Sequence, residues 1–303
     1  MEQQKYNTLV VARSWRVFGK QQFVAIKELC DKLSKLIRLE FHININEETD
    51  EILLKILTNY VNRRGCSLKI YKDLFFDEYA ESKGIDSRKI EQFKEWKWIY
   101  HLLLYQFLYE KQGVDYLLSY DDDILFNDQN IADVEHYVLR KIPFAIADQY
   151  VDGDKCMMGK LCVHFGAWIN DEYYSNFGNE FSSNSGFLGI NNDIFKHFTS
   201  AEDFGKMIDM FEYKKWDHLT MQGSGYESYK ILLQEQSFLG ILNKAFSNRN
   251  HIVLHEKDGY LISSNLKKTQ SSRVEHYIGI LKYTAVYLDE IEKRFERYYN
   301  EIK

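Results

Sequence analysis

The chain has 303 residues, of which 45% are hydrophobic, and a formal charge of -6; that is enough apolar content for the core of one large α/β domain or two small ones. An acidic balance without a basic stripe argues against a reader of nucleic-acid backbones, and the absence of both a signal-peptide layout and an uncharged apolar window of about 18 residues makes the cytoplasm the expected compartment. Cys30, Cys66, Cys156 and Cys162 show no paired CxxC spacing, which speaks against a disulfide scaffold or a cysteine zinc site.

In chain order, residues 8–15 (TLVVARSW) predict a buried first strand ending in polar residues. Phe23, Ile26, Leu29, Leu33 and Leu36 then recur at helical spacing. In RLEFHININ, Leu39, Phe41, Ile43 and Ile45 alternate with polar residues as a second strand would. EILLKILTNYVNRRG predicts a second helix closed by Gly65, and CSLKIYKDL a third strand. This β-α-β-α-β opening implies a mainly parallel, Rossmann-like sheet covered by helices. A long helix is expected over 86–112, capped by Gly113, and VDYLLSY (114–120) is expected to return to the sheet as a strand.

The strand 114–120 runs into three consecutive aspartates, Asp121, Asp122 and Asp123. Two unit charges about 4 Å apart repel by roughly 4 kcal/mol at an effective dielectric near 20, so such a trio either splays into water or shares a cation. An acidic cluster after a strand is commonly a solvated turn or a helix cap. The C-terminal edge of a parallel strand, however, is where open α/β sheets bind ligands. An EF-hand is ruled out, because counting from Asp121 its fifth and sixth positions hold Leu125 and Phe126 instead of an oxygen ligand and glycine. A haloacid-dehalogenase phosphatase is ruled out by Leu125, where its pattern needs threonine. There remains a short D-x-D, Asp121 and Asp123, able to hold one hard divalent ion with positions open for a diphosphate.

Three further stretches accompany it. NSGFLGINN holds Asn184, Gly186 and Asn191 in an N-x-G-x-x-x-x-N pattern; EQSFLGILN holds Glu235 and Gln236; HYIGILK holds His276, Tyr277, Gly279 and Lys282. With the D-x-D they resemble the signatures of the GT-A nucleotide-sugar glycosyltransferases, and within them glycosyltransferase family 8, the glycogenin and lipopolysaccharide galactosyltransferase relatives. The chain departs from that pattern at Ser237, at Gly240 and after Lys282, where Tyr283 and Thr284 replace Pro-Trp.

The resemblance implies a GT-A fold and a metal-dependent transfer from a nucleotide-sugar donor, with UDP favoured, to a carbohydrate or glycan hydroxyl, with retention. It implies Mn2+ or Mg2+ held by Asp121, Asp123 and His276. Val11, Ala12 and Arg13 at the end of the first strand, with Asp122, Asn184, Gly186, Gly279 and Lys282, would contact the donor. Gln236 would lie near the anomeric carbon, with Glu235 beside it.

Other assignments stay open. An inverting enzyme would need a carboxylate base, for which Glu235, Glu227 and Asp217 are candidates; His164 and His255 rival His276 as metal ligand; and Trp168, Tyr173, Tyr174 and Trp216 are either acceptor-stacking rings or core. A sugar-phosphate nucleotidyltransferase is a second enzyme reading, although the loop RSWRVFGKQQ has a single glycine. A silent sugar-binding module is the non-enzyme alternative.

We expect residues 1–280 to form the transferase domain and 281–303 an amphipathic helix. Its apolar positions are Leu281, Thr284, Leu288, Ile291, Phe295, Tyr298 and Ile302. It would dock on its own domain or form a homo-oligomer seam. Its mixed charges allow at most a peripheral membrane contact.

Overall fold

Apolar spacing places the first elements close to where the sequence predicts them. The computed structural model describes residues 9–34, 37–72, 113–127, 131–147, 183–191, 252–254, 258–262, 273–277 and 283–303. Strand β1 (Leu9–Val17) leads into helix α1 (Lys20–Leu33), β2 (Arg38–Ile45), α2 (Glu51–Arg63) and β3 (Ser67–Lys72). The Asp50 side chain caps α2 by accepting from the amides of Ile52 and Leu53, and Gly65, at φ +69°, supplies the left-handed residue that ends it. The expected helix 86–112 lies outside the described residues. Gly113, its expected cap, does adopt φ +61°.

After Gly113 come β4 (Tyr116–Tyr120), β5 (Ile124–Phe126), α3 (Ala132–Leu139), β6 (Phe144–Ala147), β7 (Ser183–Asn191), β8 (Ile252–Leu254), β9 (Tyr260–Ile262), β10 (Val274–His276) and α4 (Ala285–Ile302). The main sheet has the order β3-β2-β1-β4-β7-β6-β8, and a second sheet the order β5-β10-β9. Strands β3, β2, β1 and β4 are mutually parallel, and β7 is antiparallel to both β4 and β6. From β1 the chain builds β2 and β3 on one side and then returns with β4 on the other. The crevice beyond the C-terminal ends of β1 and β4 is therefore a topological switch point.

Both faces of the central strands β1, β2 and β4 are largely buried. Val10, Ala12, Leu39, Phe41, Ile43 and Leu118 share one core with Phe23, Ile26 and Leu29 of α1. The alternate residues Arg13, Glu40, His42 and Asn44, polar in sequence, are buried too. Hydrogen bonds make that tolerable: Arg13 Nη2 donates to Asn44 Oδ1 at 2.8 Å, and Glu40 meets His42 Nε2 at 2.7 Å and Ser67 Oγ at 3.0 Å. An ionised carboxylate only accepts, so Nε2 carries the proton. Burial, helped by the charge of Arg13, lowers His42 to a pKa of about 4 and keeps the ring neutral.

Helix α4 lies against α1 and buries Ile291, Tyr298 and Ile302, as its apolar spacing predicts, but its first turns are rotated from the expected ones. Its buried residues are Tyr287, Ile291, Arg294, Tyr298 and Ile302, whereas Leu288 is exposed and Thr284 is the N-cap. An arginine enters the buried stripe because its partners are waiting there. Arg294 donates to Glu28 Oε1, to the Phe126 carbonyl, to Asn127 Oδ1 and to Glu290 Oε1, each at 2.8 Å. Tyr298 adds a hydroxyl to Glu28 at 2.7 Å. Burial pushes the Glu28 carboxyl up, while Arg294, Tyr298 and the Phe126 amide hold it back. Among the described residues, no helix is long and apolar enough to cross a membrane.

Candidate functional site

Strand β4 is buried along its whole length, as is β5, and the turn joining them holds Asp121, Asp122 and Asp123. Because β4 belongs to the main sheet and β5 to the second, the three carboxylates sit on the joint between the sheets, at the switch point of the first. Asp121 and Asp122 are partly exposed, and Asp123 is 6% exposed.

The backbone of this turn is held from three directions. The Asp121 amide donates to the Gly186 carbonyl of β7 at 2.8 Å, and the Asp123 carbonyl accepts from the Tyr277 amide at 2.9 Å. The Asp122 carbonyl accepts from the Tyr287 hydroxyl of α4 at 2.9 Å. On its open side, Arg16 near the end of β1 brings Nε to 3.5 Å from Asp122 Oδ1. Burial, and then the charges of Asp123 and Asp122, push the Tyr287 hydroxyl above the ordinary tyrosine range. It therefore stays protonated and able to donate.

Residues far apart in sequence meet here. Strand β10 runs antiparallel to β5 with His276 opposite Ile124, which sets the backbone of His276 beside the acidic turn. Gly186 is brought to the same turn by the pairing of β7 with β4. Asn191, at the other end of β7, is paired with Tyr116 and its side-chain amide donates to the Lys141 carbonyl. Five residues of strand, about 17 Å, separate it from the turn, so the two ends of the N-x-G-x-x-x-x-N stretch do different things. The backbone of Asn184 pairs with Ile146. Within the same stretch, a Cβ on Gly189 would lie 1.9 Å from the Tyr116 hydroxyl and 2.5 Å from the Phe144 ring, which explains that glycine by packing.

Three of the expected donor contacts, Val11, Ala12 and Arg13, lie in β1. Val11 and Ala12 are fully buried and flanked by β2 and β4; the ladder to β4 runs from Val10 to Arg13, and the register with β2 shifts between Arg13 and Val17. Arg13 is also buried, beside Asn44. Arg16, further along the same strand, reaches the acidic turn at Asp122. Glu235, Gln236, Gly279 and Lys282 lie outside the described residues, as do Glu227, Asp217, His164, His255, Trp168, Tyr173, Tyr174 and Trp216.

The donor set suits a hard divalent cation. Carboxylate oxygens dominate it, imidazole is acceptable to Mn2+, and among the described residues no cysteine belongs to the acidic turn or its hydrogen-bond partners. Among the described residues no three His, Cys, Asp or Glu side chains form a ready cluster. Of His276 only the backbone is described.

No known family profile and no curated protein matches the sequence. Solved structures do. The galactosyltransferase LgtC, in complex with donor and acceptor sugar analogs, matches with a TM-score of 0.52 at 13% identity, over 96% of this chain and 95% of its own. The glycosyltransferase GlyE of Streptococcus pneumoniae TIGR4 matches with 0.47 at 15% identity, over 97% and 64%. Mouse xyloside xylosyltransferase 1 gives 0.44 at 10%, over 89% and 96%. Of these three, the match to LgtC alone passes 0.5, and together with the observed sheet order it establishes the fold: this is a GT-A glycosyltransferase architecture.

Proposed function

We propose that the chain is a divalent-metal-dependent glycosyltransferase that moves a sugar from a nucleotide-sugar donor, a UDP-sugar, to a carbohydrate or glycan hydroxyl with retention. The observation that carries this reading is the β5–β10 register. It sets the backbone of His276 beside Ile124 and ties Tyr277 to Asp123, so the first two residues of the H-Y-x-G-x-x-K stretch lie against the D-x-D from about 150 residues away, in a GT-A fold. LgtC carries donor and acceptor sugar analogs, and we assign the same two ligand classes to this chain.

In this reading Asp121, Asp123 and His276 hold Mn2+ or Mg2+. An ion held there would supply positive charge to stabilise a diphosphate leaving group. Lys282 adds a second positive contact to the diphosphate, and Gly279 lets the backbone approach it. Asp122, with Arg16 beside it, faces the ribose or the donor sugar, while Asn184 and Gly186 line the same side. Gln236 stands near the anomeric carbon; a primary amide is a weak nucleophile, which favours substitution from the front face. Residues 1–280 form the transferase unit, and 281–303 the C-terminal segment whose helix α4 packs on it.

The test is release of UDP from a panel of UDP-sugars, with Mn2+ and with EDTA. The reading expects release that depends on one or a few sugars and stops when the ion is stripped. Equal release with and without EDTA, or none from any donor at saturating Mn2+, refutes it.

A further inference from the structure

Three adjacent carboxylates on one turn repel each other, so the turn must be held by something other than its own side chains. Its hydrogen bonds identify what holds it. The Asp122 carbonyl belongs to the peptide plane that leads into Asp123, and the Asp123 carbonyl to the plane that leads out. A trans peptide is rigid, so fixing both planes sets the two torsions of Asp123 and the direction in which its side chain leaves the backbone. The outgoing plane is fixed by the Tyr277 amide at 2.9 Å, a main-chain bond that continues the β5–β10 ladder. The incoming plane is fixed by the Tyr287 hydroxyl, a side chain 165 residues away on the C-terminal helix.

Tyr287 is itself held. It is 1% exposed, its ring lies 4.8 Å from that of Tyr277 at 38°, and its amide is capped by the Thr284 hydroxyl. The two tyrosines thus pack on each other while their polar groups grip the two sides of one aspartate. A helix that served only to cover the domain would not need its first buried residue to end on this carbonyl.

We infer that Tyr287 is a positioning residue for the acidic turn, through which docking of the C-terminal helix is coupled to the placement of Asp123. The inference rests on the proposed role of that turn in holding a divalent ion. Coupling of this kind is reciprocal: ion binding should tighten the helix as much as the helix tightens the site.

The test compares Tyr287→Phe with Tyr298→Phe. Each removes one hydroxyl from the same buried stripe, but Tyr298 points at Glu28, away from the turn. Mn2+ affinity by calorimetry and amide exchange at Tyr277 are read in the wild type and both variants. Tyr287→Phe is expected to weaken Mn2+ binding by roughly tenfold, the scale of one net hydrogen bond, and to speed exchange at Tyr277. Excess Mn2+ should restore its turnover. Tyr298→Phe should lower the melting temperature and leave Mn2+ affinity within about twofold of wild type. Unchanged affinity in Tyr287→Phe, or an equal loss in both variants, overturns the assignment. If the wild type takes up no Mn2+, the proposed function fails, and exchange alone decides the positioning role. Faster exchange at Tyr277 in Tyr287→Phe alone then supports it, and equal exchange in the two variants overturns it.

Discussion

The molecule holds acidic side chains in two neighbouring places by opposite means. Beneath the C-terminal helix, both carboxylate oxygens of Glu28 are bonded, to Arg294, Tyr298 and the Phe126 amide, and the residue is 4% exposed. In the turn a few residues before Phe126, the main chain of Asp121, Asp122 and Asp123 is bonded to three different elements, while Asp121 and Asp122 remain partly exposed. The first arrangement uses side-chain charge to assemble the fold. The second uses the fold to aim side-chain charge. The same helix takes part in both, through Arg294 and Tyr287, which is why the site and the C-terminus are hard to treat as separate regions.

The contrast can be broken from either side, and the largest effect is expected beneath the helix. Arg294→Met leaves Glu28 buried without its cation and should cost about 3–5 kcal/mol in urea unfolding. A double variant that also replaces Glu28 with leucine should recover part of that loss, since the uncompensated charge is gone. A loss under 1 kcal/mol for Arg294→Met would mean that the cluster does not hold the helix. At the turn, Asp123→Asn should leave the unfolding midpoint nearly unchanged and lower donor turnover by about 10²–10³-fold, the scale of removing one preorganised electrostatic contact. If stability falls there and turnover does not, the two regions have been assigned the wrong way round.

Part of this contrast was legible in the sequence. The periodicity through Phe23, Ile26, Leu29 and Leu33 located α1, and the apolar run before Asp121 located a strand ending in carboxylates, because local spacing reports which face of an element is buried. Polar residues in β2 were harder to read. Alternation gave Leu39, Phe41 and Ile43 as core but could not show that Glu40, His42 and Asn44 are buried as well, since their partners come from other strands. The end of β1 is likewise a matter of pairing: its ladder to β4 stops at Arg13 and its register with β2 shifts before Val17, which the run TLVVARSW alone does not report. Tyr287 was hidden by an arginine. The steps 287, 291, 294, 298 and 302 are as helical as those through Leu288, yet a charged residue in the stripe makes sense only once Glu28 is known to face it. No local pattern could have paired β10 with β5, because register between distant strands is a tertiary property.

A smaller effect concerns the polar face of the sheet, where charge again belongs to the fold. His42 is held at a pKa of about 4 by burial, below the ordinary 6.5. Its unfolded form therefore binds the extra proton first, so stability should be complete above about pH 6.5 and fall as pH drops towards 4. Glu40 is lowered to about 2 because His42, Lys69 and Ser67 outweigh its burial, and it adds a loss of the same sign below its ordinary value of 4.5. Fully expressed, the His42 contribution is on the order of 3 kcal/mol. Unfolding free energies measured from pH 7 to 4 should flatten in His42→Gln. An unchanged slope would show that other groups govern acid unfolding.

The smallest effect on stability is expected from the pair on the open side of the turn. Arg16 and Asp122 meet at 3.5 Å with side chains 34% and 27% exposed. Water and salt screen such a pair, so Arg16→Gln should change the unfolding free energy by less than about 1 kcal/mol, and less still in high salt. Its consequence should fall on the ligand instead. With the guanidinium gone, the turn presents a more negative field to the proposed diphosphate donor, and the donor KM should rise by about fivefold while kcat stays close to wild type. An Arg16→Gln variant that unfolds as readily as Arg294→Met would place Arg16 among the residues that hold the fold, and would remove the distinction between aimed and buried charge at the point where the two regions meet.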